Sequence, residues 1–142
     1  PISLAIGIVV CQWNYRHIYE AVKFFEYFGV DDIVLNILQM KNSAVSNAGQ
    51  IGVQYSLLVP EITKLLPLQN QFKNIRINGL VPCISEQVAE YVGYFNGAWV
   101  MPDENGAYNV TLQSGKSKRA ECSSCKYHNS CEGVWDSYTT YF

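Results

Sequence analysis

The order of strand-like and helix-like segments most constrains the fold of this chain. Residues 2–10 alternate large aliphatic side chains with small ones, a pattern typical of a strand in a sheet that is covered on both sides. Residues 32–40 and 75–81 predict two further strands, and the polar residues 41–55 predict a long loop. Because strands separated by helices pair in parallel through right-handed crossovers, we expect an α/β fold with a parallel sheet.

Three helices are predicted between and after these strands. The first follows Asn14, a favourable N-cap residue, and ends at Gly29. The second covers residues 57–71 and contains a proline that should kink or end it. The third follows Ser85 and has apolar residues up to Phe95 at helical spacing. The sequence therefore predicts the order βαβαβα.

The composition changes after this repeating part. Residues 1–97 form the predicted βαβαβα portion, and residues 98–142 form a turn-rich tail with three cysteines and a short predicted strand. The two portions together have 142 residues, 49% of them hydrophobic, which is enough for a real core. The net charge of -2 gives no electrostatic reason to expect a nucleic acid or an anionic membrane as a partner.

Several features bear on the setting of the protein. No apolar run approaches the roughly 18–20 residues that a membrane span needs. Five cysteines, an odd number, fit reduced thiols better than a disulfide scaffold, so we expect a cytoplasmic protein. The chain begins at Pro1 with a strand-like run, from which we expect a piece of a longer protein.

The three tail cysteines are the strongest chemical signal. Cys122, Cys125 and Cys131 form a C-x2-C-x5-C run, whose spacing is typical of metal sites. An iron–sulfur cluster would take these three thiolates and a distant fourth, for which Cys83 at a strand end is the natural candidate. Zinc would instead take the same three thiolates and His128, which closes a local Cys3His tetrahedron. The residues alone leave both alternatives open.

Other candidate residues are weaker. Asn36 is the lone polar residue in the second predicted strand, and it would hydrogen-bond a cofactor if it faced the interior of a barrel. Cys11 also falls at the end of a predicted strand, the edge of a parallel sheet at which ligands bind. The sequence lacks the glycine-rich dinucleotide motif, the phosphate-loop lysine motif and the G-x-S-x-G nucleophile elbow.

At the level of motifs, the tail resembles the auxiliary-cluster region of radical S-adenosylmethionine proteins of the SPASM/twitch kind. The resemblance lies in the run C-x2-C-x5-C-x-G-x-W-x2-Y, which ends at Trp135 and Tyr138. The residues around Cys11 resemble a late strand–helix unit of that fold, and Pro82 with Cys83 resembles the position of the first auxiliary-cluster cysteine.

This resemblance implies the C-terminal part of a partial (β/α)6 barrel followed by a small metal-binding tail. It implies one auxiliary [4Fe-4S] cluster held by Cys83, Cys122, Cys125 and Cys131, which would relay electrons or position a substrate. In such proteins a second [4Fe-4S] cluster, held by a C-x3-C-x2-C motif, cleaves S-adenosylmethionine. That motif is absent here, so the resemblance implies a missing N-terminal half, a possible electron donor as a partner, and no activity of this chain alone.

The chain also departs from the family pattern. The family pattern has a further cysteine after the run, separated from it by three residues, and Trp135 stands at that position here. No G-x4-C precedes the run. The remaining cysteines suffice for one auxiliary cluster. The alternative from another class is a non-catalytic binding module that is stabilised by zinc at Cys122, Cys125, His128 and Cys131.

Overall fold

A parallel β-sheet organises the chain in a computed structural model, which describes residues 2–40, 42–93, 99–102, 108–111 and 115–142. The sheet has four strands in the order β1-β2-β3-β4, and every neighbouring pair is parallel. This confirms the predicted α/β class. The strands are β1 (Ala5–Val10), β2 (Asp32–Ile37), β3 (Asn74–Asn78) and β4 (Val92–Gly93).

Helices connect the strands on one side of the sheet. A 3-10 turn leads into the first helix, two short helices precede the second long helix, and a second 3-10 segment leads into β3. These elements are the turn Tyr15–His17, α1 (Ile18–Tyr27), α2 (Ser43–Ser46), α3 (Ala48–Ile51), α4 (Tyr55–Thr63) and the 3-10 segment Leu66–Gln71. The loop predicted over residues 41–55 therefore contains two helical turns within its described part.

The two faces of the sheet differ in burial. On one face, Ile33, Leu35 and Ile77 are almost completely buried and pack in one core with Val22 of α1 and Leu58 of α4. Alternate residues point to the other face because the side-chain period of a strand is two. In the described part of the chain that second face is open to solvent or half-buried, so the predicted cover on both sides is wrong for these residues.

The open face carries small and polar side chains near one edge. In β1 it presents Gly7 and Val9, and in β2 it presents Asn36. The register places Val9 beside Asn36 and Asn36 beside Asn78 of β3, with Gly93 of β4 next in the row. A polar row therefore crosses the sheet close to the carboxyl ends of its strands.

The third predicted helix is not formed. After β3, the chain makes a 3-10 turn at Pro82–Ile84, another at Ala89–Tyr91, and then β4. Val92 and Gly93 pair with Ile77 and Asn78 of β3. These two residues are therefore in a strand and not in the last turn of the predicted helix. Phe95, predicted on the apolar face of this helix, lies outside the described residues.

The start of the first helix also differs from the prediction. The Asn14 side chain makes no helix cap; its Oδ1 accepts a hydrogen bond from the Cys11 backbone N–H at 2.8 Å, and its Nδ2 donates to the Val9 carbonyl at 2.8 Å. Asn14 thus closes the turn after β1, and α1 begins at Ile18. The predicted end at Gly29 agrees with the structure, where Gly29 has φ +68° after the last turn.

The tail contains short antiparallel strands and a terminal helix. The predicted boundary between residues 97 and 98 lies outside the described residues. No helix in the described part of the chain combines the length and apolar character that crossing a membrane requires. The tail elements are β5 (Trp99–Pro102) paired with β6 (Tyr108–Thr111), β7 (Lys116–Ser117) paired with β8 (Val134–Trp135), the 3-10 segment Ala120–Ser124, and α5 (Asp136–Tyr141).

Candidate functional site

The C-terminal segment folds back onto the carboxyl edge of the parallel sheet. The rings of Tyr55 and Tyr138 stack with centroids 3.8 Å apart, and the Tyr55 backbone N–H donates to the Tyr138 hydroxyl at 2.9 Å. The Tyr55 hydroxyl donates to the Gly79 carbonyl, directly after β3, at 2.7 Å. These contacts join the start of α4, the end of β3 and α5 at one place.

The three tail cysteines lie in the loop between β7 and β8. Cys122 belongs to the 3-10 segment, and the backbone N–H of Cys125 donates back to the Cys122 carbonyl at 3.1 Å. Cys131 packs against the main core beside Val134. We call residues 122–131 the cysteine loop. Its sequence folds locally through successive tight turns, as the C-x2-C spacing predicts.

Two observations bring Cys83 and the cysteine loop together. Lys126 in the loop forms an ion pair with Glu86, three residues after Cys83. Partial desolvation raises the pKa of the Cys83 thiol, and repulsion from Cys125, Cys131 and Cys122 raises it further. The turn that carries Cys83 and the cysteine loop therefore lie near each other, although Cys83 and Cys122 are 39 positions apart in the sequence. That Cys83 ligates a metal together with the three tail cysteines stays a prediction.

The sulfur of Cys131 has a specific backbone partner. The Gly133 N–H donates to Cys131 Sγ at 3.3 Å. Gly133 has φ +95°, and a Cβ atom on it would lie well inside van der Waals contact with the Ser117 carbonyl oxygen. Glycine is therefore required for the backbone to turn its N–H toward the sulfur. Hydrogen bonds of this kind stabilise a thiolate and tune the potential of a cluster that it holds.

The imidazole of His128 lies within the same loop. Its Nδ1 is 2.8 Å from the Cys122 carbonyl oxygen, so this nitrogen carries the proton and donates. In the neutral imidazole, Nε2 is then the unprotonated nitrogen, the form that a metal-ligating histidine needs. Among the described residues, however, no three His, Cys, Asp or Glu side chains form a group that could hold a metal ion.

A cavity of about 330 Å³ opens at the carboxyl edge of the sheet, beside this segment. Its volume falls within the range of small-ligand pockets, about 300–1,000 Å³. The sheet contributes the polar row described above, and the tail contributes two side chains. The lining of this cavity includes Asn36, Gln39, Asn78, Gly93, Lys116 and Trp135.

Carboxamide groups supply much of the polar character of this cavity. Asn78 Nδ2 donates to Asn36 Oδ1 at 3.0 Å. A Cβ atom on Gly93 would lie 2.7 Å from Asn78 Oδ1, so glycine leaves that oxygen its space. Gln39 Nε2 is buried and has no hydrogen-bond partner within the described chain. Leaving such a donor unpaired costs about 1–3 kcal/mol.

The tail contributes one cation to the cavity wall, and this cation is already paired with a carboxylate. Lys116 forms an ion pair with Glu132, and its ammonium group stands 4.5 Å from the centre of the Trp135 ring. Glu132 directly follows Cys131, so the cysteine loop and the cavity wall are one piece of chain. Trp135 is buried and lies against Gly79, where a Cβ atom would come within 3.2 Å of its Nε1.

Part of this site was predicted from the sequence. Asn36 lies on the open face and lines the cavity, and its binding of a cofactor stays a prediction. Asn78 was missed, although the alternation of polar and isoleucine residues in β3 is a readable signal. Lys116 was missed because no local pattern brings it to the sheet. Cys11 is half-buried at the end of β1 and is not among the thiols that act on Cys83.

Comparison with known proteins adds no identification. No protein-family model matches the chain, and neither a curated protein nor a solved structure matches it. The site must therefore be interpreted from its own residues.

Proposed function

We propose that this chain is the C-terminal part of a radical S-adenosylmethionine enzyme and binds one auxiliary [4Fe-4S] cluster. The proposed ligands are Cys83, Cys122, Cys125 and Cys131. Bound there, the cluster would relay electrons or position a substrate. The four-stranded parallel sheet would then be the C-terminal part of a partial (β/α)6 barrel.

The observation that carries the proposal is the contact between the cysteine loop and the turn that carries Cys83, made by the ion pair of Lys126 with Glu86. Four thiolates are the usual ligand set of a [4Fe-4S] cluster. Each thiolate binds a different iron of such a cluster, so its ligands stand further apart than those around one zinc ion at about 2.3 Å per bond. The Gly133 N–H would help to hold Cys131 as a thiolate ligand.

Further parts of the proposal follow from the family resemblance. The N-terminal half of the same protein would supply the C-x3-C-x2-C motif, a second [4Fe-4S] cluster and S-adenosylmethionine. A cytoplasmic electron donor would serve the clusters. This chain alone would bind its cluster without catalysing a reaction.

Anaerobic reconstitution with iron and sulfide tests the cluster. We expect roughly four irons per chain with the absorbance and electron paramagnetic resonance signals of a [4Fe-4S] cluster. Cys83→Ser and Cys125→Ser should each lower the iron content, whereas the matched Cys11→Ser should not. Full iron loading of Cys83→Ser would show that the fourth ligand is assigned wrongly, and no loading of the unchanged chain would refute the proposal.

The second candidate is a zinc-stabilised, non-catalytic binding module. It is favoured by the His128 ring, because the Nδ1 bond to the Cys122 carbonyl leaves Nε2 available as a ligand. Elemental analysis separates the candidates. About one zinc per chain, no iron, and loss of the zinc in His128→Ala would favour the zinc module over the cluster.

A further inference from the structure

We propose that the cavity at the carboxyl edge of the sheet binds an uncharged, amide-bearing ligand through the carboxamides of Asn36 and Asn78. As the substrate site of an enzyme, this inference rests on the proposed function. Amide binding itself is measured independently of the cluster.

The hydrogen-bonding groups of the cavity are complementary to the edge of an amide. The bond from Asn78 Nδ2 to Asn36 Oδ1 leaves capacity in the Asn36 amino group and in the Asn78 oxygen. A primary carboxamide or lactam presents a carbonyl oxygen beside an N–H on one edge, so its oxygen would accept from Asn36 while its N–H donates to Asn78.

The charge of the cavity favours a neutral ligand. Lys116 is the cation among the described lining residues, and Glu132 already neutralises it. An anion that entered would have to break or share this ion pair, and it would also face the acceptor oxygen of Asn78. A carboxamide carries no net charge and offers both donors and an acceptor, which match the acceptor and the donor of a neutral amide.

The tail provides an apolar surface for the rest of the ligand. Trp135 lines the cavity with its indole ring, and Val9 and Ile37 line it from the sheet. Small-ligand sites commonly combine such apolar walls with a few polar groups that fix orientation. A ring attached to the amide therefore fits the cavity chemistry.

Benzamide and benzoate are suitable probes because they have nearly the same shape and differ in charge. Titration of the ¹⁵N-labelled chain, followed by side-chain NH₂ and indole N–H resonances, gives a dissociation constant for each. We expect saturable shifts with benzamide and at least tenfold weaker binding of benzoate. Equal or tighter binding of benzoate, or no saturable shift with either probe, would overturn the inference.

A matched pair of variants locates the site. Asn36→Leu keeps the branched shape of the asparagine side chain and removes its hydrogen-bonding groups, so it should weaken benzamide binding at least tenfold. Asn74→Leu makes the same change at the exposed opposite end of β3, outside the cavity, and should leave the dissociation constant unchanged. Equal effects of the two variants would contradict binding in this cavity.

The iron content of the same samples separates this inference from the proposed function. Benzamide binding by a chain that takes up no iron would leave the amide site intact and refute the cluster. A chain that loads the cluster but does not bind benzamide would support the cluster and refute the amide site. Thermal unfolding of both variants confirms that a lost shift does not reflect a lost fold.

Discussion

At the scale of single residues, Tyr55 joins three elements through its ring, its backbone and its hydroxyl. Burial raises the pKa of this tyrosine well above its usual range, and the neighbouring Tyr138 raises it further. The neutral hydroxyl is therefore the form that donates to the Gly79 carbonyl. The folded state keeps this proton at a pH where the unfolded chain, with a tyrosine pKa of about 10, releases it.

The sign of the resulting pH dependence is fixed. The raised pKa of Tyr55 contributes to the stability of the folded state. This contribution is fully present below about pH 10 and is lost as pH rises above it. We expect Tyr55→Phe to lower the free energy of unfolding by about 0.5–1.5 kcal/mol near neutral pH, and by less at pH 11. Urea unfolding at both pH values measures this. The exposed Tyr27→Phe is the control, and an equal loss at both pH values would contradict the assignment.

Gly133 gives a second prediction at this scale. Its φ of +95° and its close approach to the Ser117 backbone mean that Gly133→Ala strains the turn after Cys131. We expect the free energy of unfolding to fall by about 1–3 kcal/mol. Gly49→Ala, where a Cβ atom meets nothing within 4 Å, is the matched control and should be neutral or slightly stabilising. Equal stability of the two variants would show that the turn relaxes freely.

At the scale of elements, β2 separates the core from the functional face within one strand. Leu35 is fully buried, whereas its neighbour Val34 is half-buried on the open face. Leu35→Ala should therefore lower the free energy of unfolding by about 2–5 kcal/mol. Val34→Ala should cost less than about 1 kcal/mol. Denaturant unfolding measures both, and similar losses would mean that the open face is covered in solution.

The same strand shows what sequence patterns can predict. Alternation in β1 and an aliphatic run in β2 predicted the strands, and the helices between them predicted parallel pairing. The third helix was predicted wrongly because residues 88–92 have apolar spacing that suits a helix, while pairing of Val92 with Ile77 decides the outcome. Such pairing is a tertiary contact, and no local pattern contains it.

The site divides in the same way. The cysteine spacing and the strand-end position of Cys83 predicted a shared region, because both signals are local. The cavity depends on Lys116 and Trp135 reaching Asn36, about 80 and 100 residues away along the chain, through the pairing of β7 with β8. Only the folded tail brings these side chains together.

At the scale of the whole molecule, a cluster bound at four thiols would tie the sheet to the tail. One ligand, Cys83, follows β3, and the other three belong to the cysteine loop. Ligand binding to the folded state alone stabilises that state, so the tail should resist local opening once the cluster is in place. Exposed Lys118, Arg119 and Lys126 provide trypsin sites that report such opening.

Limited trypsin digestion under anaerobic conditions tests this link. We expect cluster loading to slow cleavage at Arg119 and Lys126 at least tenfold, because cleavage needs an opened loop. Cleavage after the exposed Lys23 of α1 should keep its rate. Cys83→Ser should lose most of the protection, whereas Cys11→Ser should retain it. Full protection in Cys83→Ser would mean that the cysteine loop holds its metal without the sheet, as the local zinc site of the second candidate requires.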